Sequence, residues 1–136
     1  MPDSETADAT PFALLGGADE VRALVERFYD VMSETEPALA RLHPCEPEGI
    51  VARRPRDNFA LFVIGWLGGP QDYIAQFGHP RLRMRHGRVA VDIAMRDAWL
   101  RCMAQAMTDR NIAQPLRAWL DKRFADVADF MRNVEG

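Results

Sequence analysis

The chain has 136 residues, 48% of them apolar and 27% charged, with a net charge of −3. That length suits one domain and the composition excludes a disordered chain, while the longest mostly apolar run, Phe59 to Gly69, is too short to span a bilayer. Cys45 and Cys102 make neither a disulfide framework nor a zinc pattern, so they are expected as a loop thiol and a buried thiol in a reducing, cytoplasmic compartment.

Residues 1–11 are acidic and small, without the basic and apolar segments of a signal peptide, and are expected as a disordered leader to a single domain over 12–136. Val21, Leu24, Val25, Phe28, Tyr29 and Met32 then recur at helical spacing, with Gly16-Gly17 before them and Pro37 after. Asp19 and Glu20 sit in the first turn, where acids suit the positive end of a helix dipole. A short turn over 38–42 leads into a loop holding Pro44, Pro47 and Gly49. The next stripe is Phe59, Phe62, Val63, Trp66 and Leu67, stopped by Gly68-Gly69-Pro70. A broken region follows, and the residue before Pro80 is pushed away from helical geometry, which places a short helix after it. Asp92 is the expected N-cap of a long helix carrying Met95, Trp99, Cys102, Met103 and Ala106. A last helix starts near Pro115 and presents Leu116, Leu120, Phe124, Val127, Met131 and Val134. No segment alternates as a half-buried strand would, so the expected class is all-α.

Charge is uneven along the chain. Residues 1–50 balance at −8 and residues 51–101 at +5. Arg81, Arg83, Arg85 and Arg88 crowd beside His79 and His86, a cluster that needs an anionic partner or a solvated face. Without interleaved aromatics in an acidic chain, nucleic acid is not the expected partner, and a small, doubly anionic cofactor remains open.

Tyr29 and Trp99 lie on apolar stripes, yet each brings a polar hydrogen that wants a partner. Taken singly, each is an ordinary core residue. His86 ends a short helical stretch with Gly87 behind it as a left-handed cap. Unpaired carbonyls at a helix end can hold an imidazole Nδ1–H, which leaves Nε2 as an acceptor or a metal ligand. Glu-x-x-His, His-Glu-x-x-His, Gly-x-Ser-x-Gly and P-loop signatures are missing, and three histidines make an all-His zinc site implausible. A macrocycle needs only one of them.

Six motifs in order make the reading specific: Phe12-Ala-Leu-Leu-Gly-Gly17, Arg27-Phe28-Tyr29, Leu42-His43-Pro44, Gly65-Trp-Leu-Gly-Gly-Pro70, Gly78-His-Pro-Arg-Leu-Arg-Met-Arg-His86 and Arg96-Asp-Ala-Trp-Leu-Arg-Cys-Met103. The sequence resembles the truncated haemoglobins, and within them the second group, or O type. The resemblance implies a shortened globin, a two-over-two helical sandwich around haem b with a nearly absent first helix. It implies His86 as the proximal iron ligand, Tyr29 and Trp99 as distal donors, and His43 at a third distal position. Phe59 and Phe62 would line the haem from the distal helix, Leu82 would contact it, and Tyr73, His79 and Arg83 are the candidates for its propionates.

The chain departs from the family pattern in two places. The stretch between His43-Pro44 and the Trp-Leu-Gly-Gly-Pro motif is a few residues longer, and Gly87-Arg88-Val89 follows His86 where relatives carry a Pro-Phe type of pair. The function implied is binding of O₂, NO, CO and similar ligands. Two or three donors around such a ligand suit retention and reactive chemistry, either nitric oxide dioxygenation or peroxidase-type turnover, with a separate reductase. A passive O₂ store or carrier, a sensor acting through a partner and a helical adaptor without haem are the alternatives. A homodimer fits the family; a nucleic-acid or membrane partner does not.

Overall fold

The computed structural model describes residues 10–78 and 92–131. Seven helices lie within them: α1 (Pro11–Leu15), α2 (Ala18–Thr35), α3 (Pro37–Ala40), α4 (Arg53–Trp66), α5 (Asp72–Phe77), α6 (Ile93–Asp109) and α7 (Leu116–Met131). Among the described residues there is no strand, only an isolated bridge between Cys45 and Val51. The helix expected within 81–86, and with it His79, Leu82, Arg83 and His86, lies outside the described residues.

Helix α1 begins at Pro11, just inside the stretch expected as leader. The Thr10 hydroxyl accepts the Ala13 N–H at 3.1 Å, and a proline is tolerated in a first turn because its missing donor would be unpaired there. The Phe12 N–H reaches the Leu67 carbonyl at 3.0 Å, which stitches α1 to the end of α4. This explains the second Gly-Gly motif: a Cβ on Gly69 would stand 2.7 Å from the Phe12 ring. Only hydrogen fits there.

The α2 stripe reads true. Val21, Leu24, Val25, Phe28, Tyr29 and Met32 are all buried, and α2 packs mainly between α4 and α6. It ends where the Glu36 N–H caps back to the Met32 carbonyl and Pro37 opens α3, a helical turn in place of the expected simple turn. Helix α4 begins six residues before its apolar stripe, at Arg53, since Pro55 falls within the first turn. Asp92 caps α6 as expected, its carboxylate accepting the Met95 N–H at 2.9 Å. Helix α7 packs on α6 through Leu120, Phe124 and Ala128, all buried. Cys102 is fully buried and Cys45 exposed, as their settings suggested.

Much of the uneven charge is consumed inside the fold. Acids of α2 and the α2–α3 junction meet arginines of later segments: Glu20 with Arg110, Glu26 with Arg53 and Arg56, Asp30 with Arg56, and Glu36 with Arg101. The acidic first third is therefore the anionic partner of several arginines. Most of these pairs are half-exposed and contribute little each.

Candidate functional site

Four helices and one loop bring their aromatic side chains to a common wall. Tyr29 projects from α2, 5% exposed, with its ring 4.9 Å from Phe28 and 6.0 Å from Phe59. Trp99 comes from α6, 5.1 Å from Phe28 and 6.1 Å from Phe59. His43 closes the wall from the loop after α3, edge-on to Tyr29 at 5.6 Å. Along α4, Phe59 and Phe62 lie near-parallel at 17°, and Tyr73 of α5 stands 5.7 Å from Phe62. The sequence-derived candidates Tyr29, His43, Phe59, Phe62, Tyr73 and Trp99 thus form one continuous surface. Leu82, Arg83, His79 and His86 complete the candidate set from outside the described residues.

The donors on this wall are unspent. Among the described residues, neither the Tyr29 hydroxyl nor the Trp99 indole N–H makes a hydrogen bond, and neither atom is fully enclosed by protein, since Arg56 Nη2 is the one buried side-chain polar atom there without a partner. Burial pushes the Tyr29 phenol far above its ordinary pKa, with the Arg56 charge pulling back part of the rise. The phenol therefore keeps its proton and acts as a donor at any ordinary pH. His43 behaves differently from the third donor expected of it. Its Nδ1 lies 3.1 Å from the Leu39 carbonyl, which can only accept, so Nδ1 carries the proton and Nε2 of the neutral ring is an acceptor. Donation from Nε2 would require the imidazolium.

One residue of the site escaped the sequence reading. Arg56 is the one buried charged side chain among the described residues, 5% exposed. Its Nε donates to the Val51 carbonyl at 2.8 Å, and its Nη1 donates to Glu26 at 2.9 Å and to Asp30 at 2.7 Å. Nη2 is buried with no partner. Burial opposes the charge, but the hydrogen bonds to Asp30 and Glu26 outweigh it and the pKa rises. The guanidinium carbon lies over the Tyr29 ring, 5.9 Å from its centre. The signal was present: Arg56 is three residues before Phe59, in phase with the apolar stripe of α4, where a charge needs a reason.

Chemically, the wall offers flat apolar faces beside two donors that make no bond to the protein. That combination fits a planar macrocycle whose polar business is confined to one small ligand. No cluster of three or more His, Cys, Asp or Glu able to hold a metal occurs among the described residues. His86, the ligand expected from the sequence, lies outside the described residues.

Comparison with known proteins places the chain. The family model for bacterial-like globins matches residues 10–133. Group 2 truncated hemoglobin YjbI of Bacillus subtilis (strain 168) is 32% identical over 117 residues, covering 86% of this chain and 84% of that protein. The cold-adapted truncated hemoglobin of the Antarctic bacterium Pseudoalteromonas haloplanktis TAC125 matches with a TM-score of 0.84 at 37% identity, over 92% of this chain and 98% of that one. The group II 2-on-2 hemoglobin of Agrobacterium tumefaciens gives 0.81 at 33% identity, over 94% and 96%. The expected two-over-two fold is borne out.

Proposed function

This chain belongs to the bacterial-like globins, in the group II truncated branch of a family that binds haem and, through it, small ligands such as O₂, and on that premise we propose that it retains O₂ for reactive chemistry. The reactions we assign are the conversion of nitric oxide and O₂, with one electron, to nitrate, or peroxidase-type turnover. A single observation carries the reading: two donors, the Tyr29 hydroxyl and the Trp99 N–H, face an aromatic wall without spending their hydrogens on the protein.

Bound haem b, which His86 would hold, would supply an iron able to take a diatomic ligand. This chain's own residues do the rest. Phe59 and Phe62 would exclude water and line the haem from α4, and Leu82 is assigned to contact it. Tyr73, His79 and Arg83 are assigned to the propionates, which gives the basic cluster its anionic partner. Tyr29 and Trp99 point preorganised hydrogens at the site where negative charge develops, which in a dry pocket outweighs the same bonds in water. His43, tethered by its Nδ1–H to Leu39, holds an acceptor beside Tyr29. A reductase on a separate chain returns the electron. Cytoplasmic location and a homodimer complete the reading.

Stopped-flow release of O₂ from the haem-loaded protein, followed by nitrate yield on mixing with nitric oxide, tests it. Slow release with stoichiometric nitrate is expected. Fast release without nitrate would make the protein a passive store instead. Absorption spectra of His86→Ala, with and without carbon monoxide, check the iron ligand: the wild-type Soret shift is expected to be lost or altered.

A further inference from the structure

We propose that Arg56 is a positioning residue for Tyr29, its guanidinium strengthening the phenol O–H as a donor to the ligand. The inference rests on the reading of Tyr29 as a ligand donor and adds to it a source of the donor's strength. The geometry is specific. A guanidinium 5.9 Å from the ring centre is within cation–π range, and a cation over the π-face draws electron density from the phenol oxygen. It is the one charge that lowers the Tyr29 pKa against the effect of burial.

A structural staple alone accounts poorly for this arrangement. Joining α2 to α4 would be served as well by an apolar side chain of similar size, since buried ion pairs seldom improve stability over well-packed hydrophobes. Here a charge is kept 5% exposed, with Nη2 left buried and unpaired. The side chain is nonetheless rigidly aimed. Val51, Glu26 and Asp30 hold its Nε and Nη1 at 2.7–2.9 Å, and Arg53 engages Glu26 from the far side. Glu26 and Asp30 are partly exposed, so they hold the guanidinium while water screens part of their opposing charge.

The test reads the C–O stretch of the carbon monoxide complex of the ferrous holoprotein, by infrared, alongside O₂ release. Positive potential at the ligand's outer atom lowers that stretch, so it reports the donor directly and is independent of turnover. Tyr29→Phe should raise it. Arg56→Met, similar in length but uncharged, should raise it by part of that amount and speed O₂ release about two- to fivefold, the weight of one cation–π contact. Added to Tyr29→Phe, the same change should do nothing more. Asp30→Asn, which removes an opposing carboxylate, should move the stretch the other way, a sign reversal that loosened packing would not produce.

If Tyr29→Phe moves the stretch while Arg56→Met and Asp30→Asn leave it in place, the role of Arg56 is overturned and the donor reading stands. If Tyr29→Phe itself leaves it in place, the donor reading falls and this inference with it. Should Arg56→Met fail to fold, Arg56→Lys and Asp30→Asn decide: a wild-type stretch in Asp30→Asn overturns the proposal.

Discussion

Arg56 and Arg110 both reach back to acids on α2, yet they sit in different physical settings. Arg110 meets Glu20 with two bonds of 3.1 and 2.9 Å at the open end of the molecule. Beside it a cavity of about 700 Å³ is lined by Leu14, 62% exposed, and Trp119, 43% exposed. Arg56 makes bonds of the same kind and length at the other end, its guanidinium 5% exposed over the Tyr29 ring while Glu26 and Asp30 stay partly exposed. Geometry alone does not rank the two pairs. Burial does, because a charge–carboxylate bond weakens as solvent screens it. One end of α2 is therefore a stiff wall able to hold a ligand, and the other a tolerant surface.

The sharpest way to break this contrast is Phe28→Ala. Its ring touches Tyr29, Phe59 and Trp99 together, and its loss should cost about 3–5 kcal/mol in urea unfolding. Trp119→Ala, an aromatic truncation at the open end, should stay within about 0.5 kcal/mol. A comparable cost for both would erase the distinction.

Gly69→Ala probes the tightest of the close approaches at the α1 end. Its new Cβ would press on the Phe12 ring at 2.7 Å, for a loss of about 1–3 kcal/mol. Phe12→Ala in the same chain should recover part of that loss, whereas a clash with backbone would not be relieved.

Alkaline pH should weaken the buried side next. Burial, with the Glu36 charge adding to it, pushes the Cys102 thiol from 9.0 up to about 11. The unfolded thiol thus ionises first, and stability falls as pH rises from 9.0 toward about 11. The loss is on the order of 2 kcal/mol. Above pH 10.0 the Tyr29 phenol extends the decline, because its folded form keeps the proton far longer than the unfolded chain does. Urea midpoints at about pH 8 and about pH 10.5 should differ less in Cys102→Ala than in wild type.

The smallest effect belongs to Arg110→Ala, below about 1 kcal/mol and shrinking further with added salt. A larger, salt-independent loss would mean that the open end is not as solvated as its exposure indicates.

Legibility followed the same divide between pattern and environment. The α2 stripe, the Asp92 cap and the stop at Gly68-Gly69 were readable because each is a local rule: spacing, capping, backbone freedom. Tyr29 and Trp99 stood out as polar hydrogens on apolar stripes, and the fold brings both to Phe59. The sequence reading missed what depends on neighbours distant in the chain. Arg56 looked like one more charge before a stripe, because nothing local says that Glu26 and Asp30, a helix away, will meet it under a roof of aromatics. His43 was readable as a residue facing the site, but not as an acceptor; that depends on the Leu39 carbonyl falling 3.1 Å from Nδ1. Thr10 and Pro11 read as leader because the N-cap bond between Thr10 and Ala13 competes with an acidic, small-residue context.

The most direct test of the central claim is O₂ dissociation from the haem-loaded protein beside Tyr29→Phe, Trp99→Phe and the double variant. If the Tyr29 and Trp99 donors hold the ligand, each single change should accelerate release by about tenfold or more, the weight of one charge-assisted hydrogen bond, and the double variant should be fastest. Equal rates in all four proteins would contradict the account and return Tyr29 and Trp99 to the role of core aromatics.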